Sequence, residues 1–132
     1  MMYILYLHIL FMATAVILVI SAAAIARKKK TGWFVLHRRI ASLGLLSALI
    51  AFSAEFIFKT VMHYPHIKSP HAIAGVILLV LLITTSTLGS LIASNPKSYR
   101  ETHRVFGKIT SVAVVVTAFM GIARIIQLSQ NK

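Results

Sequence analysis

The sequence has no cysteine and no aspartate, and it carries only two glutamates, Glu55 and Glu101, and three prolines in 132 residues. Without cysteine there is no disulfide, no thiolate-ligated iron–sulfur cluster and no thiol nucleophile. Charged residues make up 12% of the chain, about half of the roughly 25% usual in soluble domains. Hydrophobic residues reach 58% and the mean hydropathy is +0.87. That balance excludes a soluble globular enzyme, a disordered chain and a nucleic-acid binder. What remains is a net charge of +12, from 14 basic residues, and six histidines. So many histidines in so apolar a chain call for an explanation.

Met1 to Ala26 contains no charged side chain, which exceeds the ~20 residues that span a bilayer. The run stops at Arg27-Lys28-Lys29-Lys30, the reverse of a secretory signal, whose charge precedes its apolar stretch. It therefore reads as a retained helix. Further spans are expected over about 33–62, 71–94 and 98–128, separated by Thr31-Gly32, by the proline-bounded loop His63–Pro70 and by Asn95-Pro96. The expectation is all-α: a single-domain, integral membrane four-helix antiparallel bundle, 1–132, in contact with membrane lipid.

Ten basic residues (Arg27, Lys28, Lys29, Lys30, Arg38, Arg39, Lys97, Arg100, Arg104 and Lys108) fall on one side of such a bundle, against Lys59, Lys68, Arg124 and Lys132 on the other. Cytoplasmic loops concentrate Lys and Arg, so the charge is a topology signal and no nucleic-acid partner is expected. It places both termini outside the cytoplasm, and the membrane expected is the cell inner membrane.

Each expected helix carries one histidine near its start: His8, His37, His71 and His103. Antiparallel packing sorts them by depth into an outer pair, His8 with His71, and an inner pair, His37 with His103, roughly 20 Å apart at 1.5 Å per residue. Ionisable residues inside a bilayer are costly and mark function. Two neutral imidazoles per layer, with no thiolate, suit axial ligation of a haem iron, whereas zinc takes three or four ligands. Small residues mark the same depths: Gly75 and Gly107 lie one turn after His71 and His103, and Gly44 two turns after His37. The plain alternative is that small residues only let membrane helices approach. Arg38, Arg39, Arg104 and Lys108 surround the inner layer and Arg124 the outer, where they pair with haem propionates or snorkel to the interface. Glu55 and Lys59 form an intrahelical pair, or Glu55 accepts a proton beside an outer quinol site. His63 and His66 read as solvated loop residues.

The stretches Leu7-His8-Ile9, Trp33-Phe34-Val35-Leu36-His37-Arg38-Arg39, Pro70-His71-Ala72-Ile73-Ala74-Gly75 and Thr102-His103-Arg104-Val105-Phe106-Gly107-Lys108 together resemble the transmembrane core of the cytochrome b561 family. The resemblance covers almost the whole chain. It implies two haem b groups, held by the first with the third helix and the second with the fourth, and electron relay across the membrane as a transmembrane oxidoreductase. It further implies a quinol or other small reductant, or partner subunits of a larger redox complex such as a respiratory membrane anchor. A haem-free four-helix transporter or assembly subunit is the alternative from another class. The run Glu101-Thr102-His103-Arg104 also resembles a motif of the haem A synthase bundle, which would imply haem modification.

The topology is directly testable. A label at Lys29 is expected to react only from the cytoplasmic side, and a tag at Lys132 only from the opposite side; the reverse pattern would invert both layers.

Overall fold

The computed structural model describes residues 2–130, which form α1 (Met2–Lys28), α2 (Trp33–Val61), α3 (Pro70–Leu91) and α4 (Pro96–Gln130), with no strand among them. All four helices are long and apolar enough to cross a membrane. Hydrocarbon offers no hydrogen-bond partner, so a backbone crossing it must satisfy its own polar groups, as a helix does. The all-α membrane bundle expected from the sequence is what forms. Lys132 lies outside the described residues.

The helix ends follow from local chemistry. Gly32 adopts a left-handed backbone (φ 73) directly before α2, a conformation that glycine reaches without the Cβ clash of other residues. The Ser69 hydroxyl accepts the Ala72 N–H at 3.2 Å and Pro70 occupies the first helical turn, where its missing N–H costs nothing. The same device recurs at α4, where Asn95 Oδ1 accepts the Ser98 N–H at 3.2 Å. Helix α4 therefore begins at Pro96 itself and not near residue 98. Helix α3 ends at Leu91, three residues earlier than expected, because Ile92–Ser94 fold into a turn.

The bundle consists of two hairpins. Helix α1 packs closely on α2, and α3 on α4, while α1–α4 and α2–α3 meet more thinly. Among the described residues α1 and α3 make no direct backbone approach, nor do α2 and α4, so each of these pairs stands on a diagonal. Gly44 makes the α1–α2 contact close: a Cβ there would lie 3.2 Å from Val19 Cγ2 and 3.3 Å from Leu18 Cβ.

The fully packed centre is small. Ala15, Ala48, Leu78, Leu82 and Val114 form it, flanked by Met12, Val16, Val19, Leu45 and Ala113. Large apolar side chains such as Val112 and Phe119 project outward instead. On a soluble domain they would be an association hazard; in a bilayer they are the lipid surface. Helix association without a hydrophobic drive relies on close packing, which favours small residues at contacts.

Leu78, 2% exposed, and Ile77, 55% exposed, are adjacent on α3, about 100° apart around the helix. Leu78→Ala opens a cavity and is expected to cost about 2–5 kcal/mol, read as a lowered unfolding midpoint in detergent. Ile77→Ala is expected to cost far less. Equal effects would mean that this centre does not carry the packing.

Candidate functional site

Both diagonals of the bundle are bridged by imidazole pairs. The ring centres of His8 on α1 and His71 on α3 lie 6.4 Å apart, with the ring planes at 84°. Those of His37 on α2 and His103 on α4 lie 6.1 Å apart, also at 84°. All four are half-buried. The structure thus brings together the four histidines in the two pairs expected from depth.

Each ring is aimed by the helix beside it. His8 Nδ1 lies 2.9 Å from the Ala51 carbonyl oxygen of α2, and His37 Nδ1 2.9 Å from the Ala22 carbonyl oxygen of α1. His103 Nδ1 lies 3.0 Å from the Thr85 carbonyl oxygen of α3. A carbonyl only accepts, so in these three rings Nδ1 carries the proton and donates. The Nε2 lone pair is then free in each, the arrangement by which second-shell carbonyls fix a metal-ligating tautomer. His71 Nδ1 is buried without a hydrogen-bond partner, although it faces the Thr117 carbonyl on α4.

These contacts obey one register. Ala22, Ala51, Thr85 and Thr117 each stand fourteen residues after the histidine of their own helix, about 3.9 turns along and hence on nearly the same face. Every helix therefore offers a histidine to one layer and a carbonyl to the other. Fourteen residues at 1.5 Å place the layers about 21 Å apart. The small apolar centre, with Ala15 midway between His8 and Ala22, fills the interval.

The ring spacing bears on what the pairs hold. Two imidazole nitrogens each ~2 Å from one metal ion and opposed across it, with about 1.1 Å more from nitrogen to ring centre, give about 6.2 Å between centres. The observed 6.1 and 6.4 Å match. Among the described residues no three His or Glu side chains gather as a metal cage, so each layer offers two ligands. A flat macrocycle also needs width beside the rings, and Cβ atoms at Gly75 and Gly107 would meet nothing within 4 Å. The donor set and the open flanks fit a bis-imidazole haem.

The remaining residues singled out from the sequence fall around these layers. Arg38, Arg39, Arg104 and Lys108 are exposed; Arg38 and Arg39 line a shallow hollow with Phe34 and Ser42, and Arg104 another with Lys97 and Glu101. Arg124 is exposed and donates to Gln127 Oε1 at 2.7 Å. Glu55 and Lys59 form the expected ion pair at 3.1 Å. His63 is exposed, but His66 is not a simply solvated loop residue. Its ring stacks on Phe56 at 4.4 Å and its carbonyl accepts Lys59 Nζ at 3.2 Å. Gly44 is placed against α1.

The sequence places Gly89 at the depth of the inner layer and Gly121 at that of the outer as small residues that narrow their helices there, but it shows neither the aiming carbonyls nor the close approach of these glycines to the rings: their Cβ atoms would lie 3.0 Å from His103 Cε1 and 3.1 Å from His71 Cε1. A signal was present: His71, Gly75, Thr85 and Gly89 recur thirty-two residues later as His103, Gly107, Thr117 and Gly121.

The family model of eukaryotic cytochrome b561 matches residues 2–127, nearly the entire chain. No curated protein and no solved structure matches it.

Proposed function

The chain belongs to the cytochrome b561 family, whose activity is transmembrane haem b electron transfer, and from that premise we propose that this protein is a two-haem relay. The observation that carries the proposal is the pair of diagonal imidazole contacts at 6.1 and 6.4 Å, with Nδ1 of three rings committed to carbonyls. His8 and His71 hold one haem; His37 and His103 hold the other. Haem held by two histidines supplies a one-electron couple whose potential follows ligation, burial and hydrogen bonding.

The protein's own residues do the rest. The carbonyls of Ala22, Ala51 and Thr85 hold three imidazoles in the ligating tautomer. Ala15, Ala48, Leu78, Leu82 and Val114 pack the interval between the layers, beside the buried hydroxyl of Thr110, which is hydrogen-bonded to Thr85 at 2.8 Å. Gly75 and Gly107 leave room beside the rings. Arg38, Arg39, Arg104 and Lys108, exposed around the His37 layer, would offer charge-assisted contacts to the propionates of a haem bound there, and Arg124 to those of one at the His8 layer.

The ten basic residues support an orientation with the His37 layer on the cytoplasmic face of an inner membrane. Their field attracts an anionic partner and favours the more reduced, less positive state of that layer. With haem bound in both layers, electrons would run from a small reductant such as a quinol at the His8 layer, beside Glu55, toward the His37 layer. An acceptor on that face, or a partner subunit of a larger redox complex, completes the path.

Oxidised and dithionite-reduced spectra of the purified protein test the premise: sharp reduced bands equivalent to two haems per chain are expected. His37→Ala and His103→Ala are each expected to remove the same haem and leave the other intact, and His8→Ala and His71→Ala the converse. Depletion of one haem by both His8→Ala and His37→Ala would refute the pairing.

Direction has its own measurement. Potentiometric titration of the single-haem variants is expected to give a higher midpoint in His8→Ala than in His37→Ala, and Arg38→Gln added to His8→Ala is expected to lower it. The opposite order would reverse the proposed direction.

A further inference from the structure

We propose that Gly89 and Gly121 are positioning residues for the histidines of the α3–α4 hairpin: each leaves the space that the neighbouring helix's imidazole occupies, and so sets where that ring's Nε2 points. The inference rests on the two-haem reading and deepens it. Both glycines stand eighteen residues after the histidine of their own helix, five turns along and therefore on the same face. That face looks onto the histidine of the other helix in the hairpin.

The distances leave little tolerance. A Cβ on Gly89 would lie 3.0 Å from His103 Cε1 and 3.3 Å from its Nδ1. One on Gly121 would lie 3.1 Å from His71 Cε1 and 3.7 Å from both ring nitrogens. Carbon atoms rest at about 3.5–4.0 Å, so a methyl group at either position drives the ring back by roughly half an ångström. The His103 ring cannot yield freely. Its Nδ1 is tied to the Thr85 carbonyl at 3.0 Å, one turn before Gly89 on the same helix, and its far side faces the His37 ring. The His71 ring, whose Nδ1 has no such tie, stands between Gly121 and the His8 ring.

The requirement is local. In the α1–α2 hairpin the same eighteenth position is held by Ala26 and Glu55, and His8 and His37 still reach their carbonyls at 2.9 Å. Gly75 and Gly107, one turn from the histidines, have open space around them. Only Gly89 and Gly121 touch a ring. The asymmetry means that α3 and α4 supply the sterically fixed ligand of each layer, while α1 and α2 supply the other.

The test uses the intact protein purified in detergent with its haem. Gly89→Ala is expected to shift the low-spin ferric paramagnetic signal and the midpoint of the His37–His103 haem, and to weaken its retention about tenfold, the lower range for loss of a second-shell orienting contact. The His8–His71 haem is expected to stay as in the wild type. Gly121→Ala is expected to do the converse, and Ala26→Gly to change neither signal. Alanine has the higher helix propensity, so the helices themselves are not weakened; should either variant fail to fold, the other decides alone. Wild-type signals and retention in the folded variants, or a change confined to the wrong layer, would overturn the positioning role. Absence of bis-histidine haem in the wild type would overturn the two-haem reading itself, and this inference with it.

Discussion

The structure depends on one hydrogen bond made repeatedly: an imidazole Nδ1–H donated to a helix carbonyl that already accepts its own intrahelical bond. A carbonyl oxygen has two lone pairs, so the helix loses nothing by accepting twice. The imidazole gains a fixed tautomer and a fixed direction, with the Nε2 lone pair left free. Because His8 bonds α2 while His37 bonds α1, the two halves of a hairpin aim each other's ligands. Slipping one helix by a residue would rotate its histidine by about 100° and move it 1.5 Å, breaking both layers of that hairpin together.

That reciprocity explains the uneven packing. Within a hairpin the helices must lie close enough for a side chain to touch a neighbouring backbone, and small residues such as Gly44 and Gly121 allow it. Between hairpins the contact is thin, which leaves the diagonals for the imidazole pairs to close. In hydrocarbon such a seam has no hydrophobic force to shut it. The packed centre of Ala15, Ala48, Leu78, Leu82 and Val114 holds the two hairpins together at mid-depth, between the layers.

The two ends of the bundle differ in charge but not in ligation. Arg38 and Arg39 follow His37, and Arg104 follows His103, each on an exposed surface. Near His71 the opposite end holds the paired Glu55 and Lys59, with His66 folded back over α2. On the proposed two-haem reading, like imidazole pairs in unlike fields would separate the two redox sites without a second ligand type.

Much of this was legible in the sequence. Uncharged runs longer than a bilayer's thickness admit only helices, and short connections force neighbours to run antiparallel, so the bundle and its two histidine depths followed from His8, His37, His71 and His103 alone. The caps at Ser69-Pro70 and Asn95-Pro96 were equally local, although the start of α4 at Pro96 emerged only in three dimensions, because Asn95 caps it. What the tertiary structure decided was rotation about each helix axis. Depth is counted in residues, but the face a histidine presents depends on the neighbour it leans against. Only the packed hairpins show Gly44 serving the α1–α2 contact, Gly89 and Gly121 abutting imidazoles, and His66 stacked on Phe56. The carbonyls that aim the rings are backbone atoms, so the thirty-two-residue repeat that carries Thr85 and Thr117 marks their register without saying what they bond; the fold supplies that by bringing the fourteenth residue of one helix beside the histidine of the next.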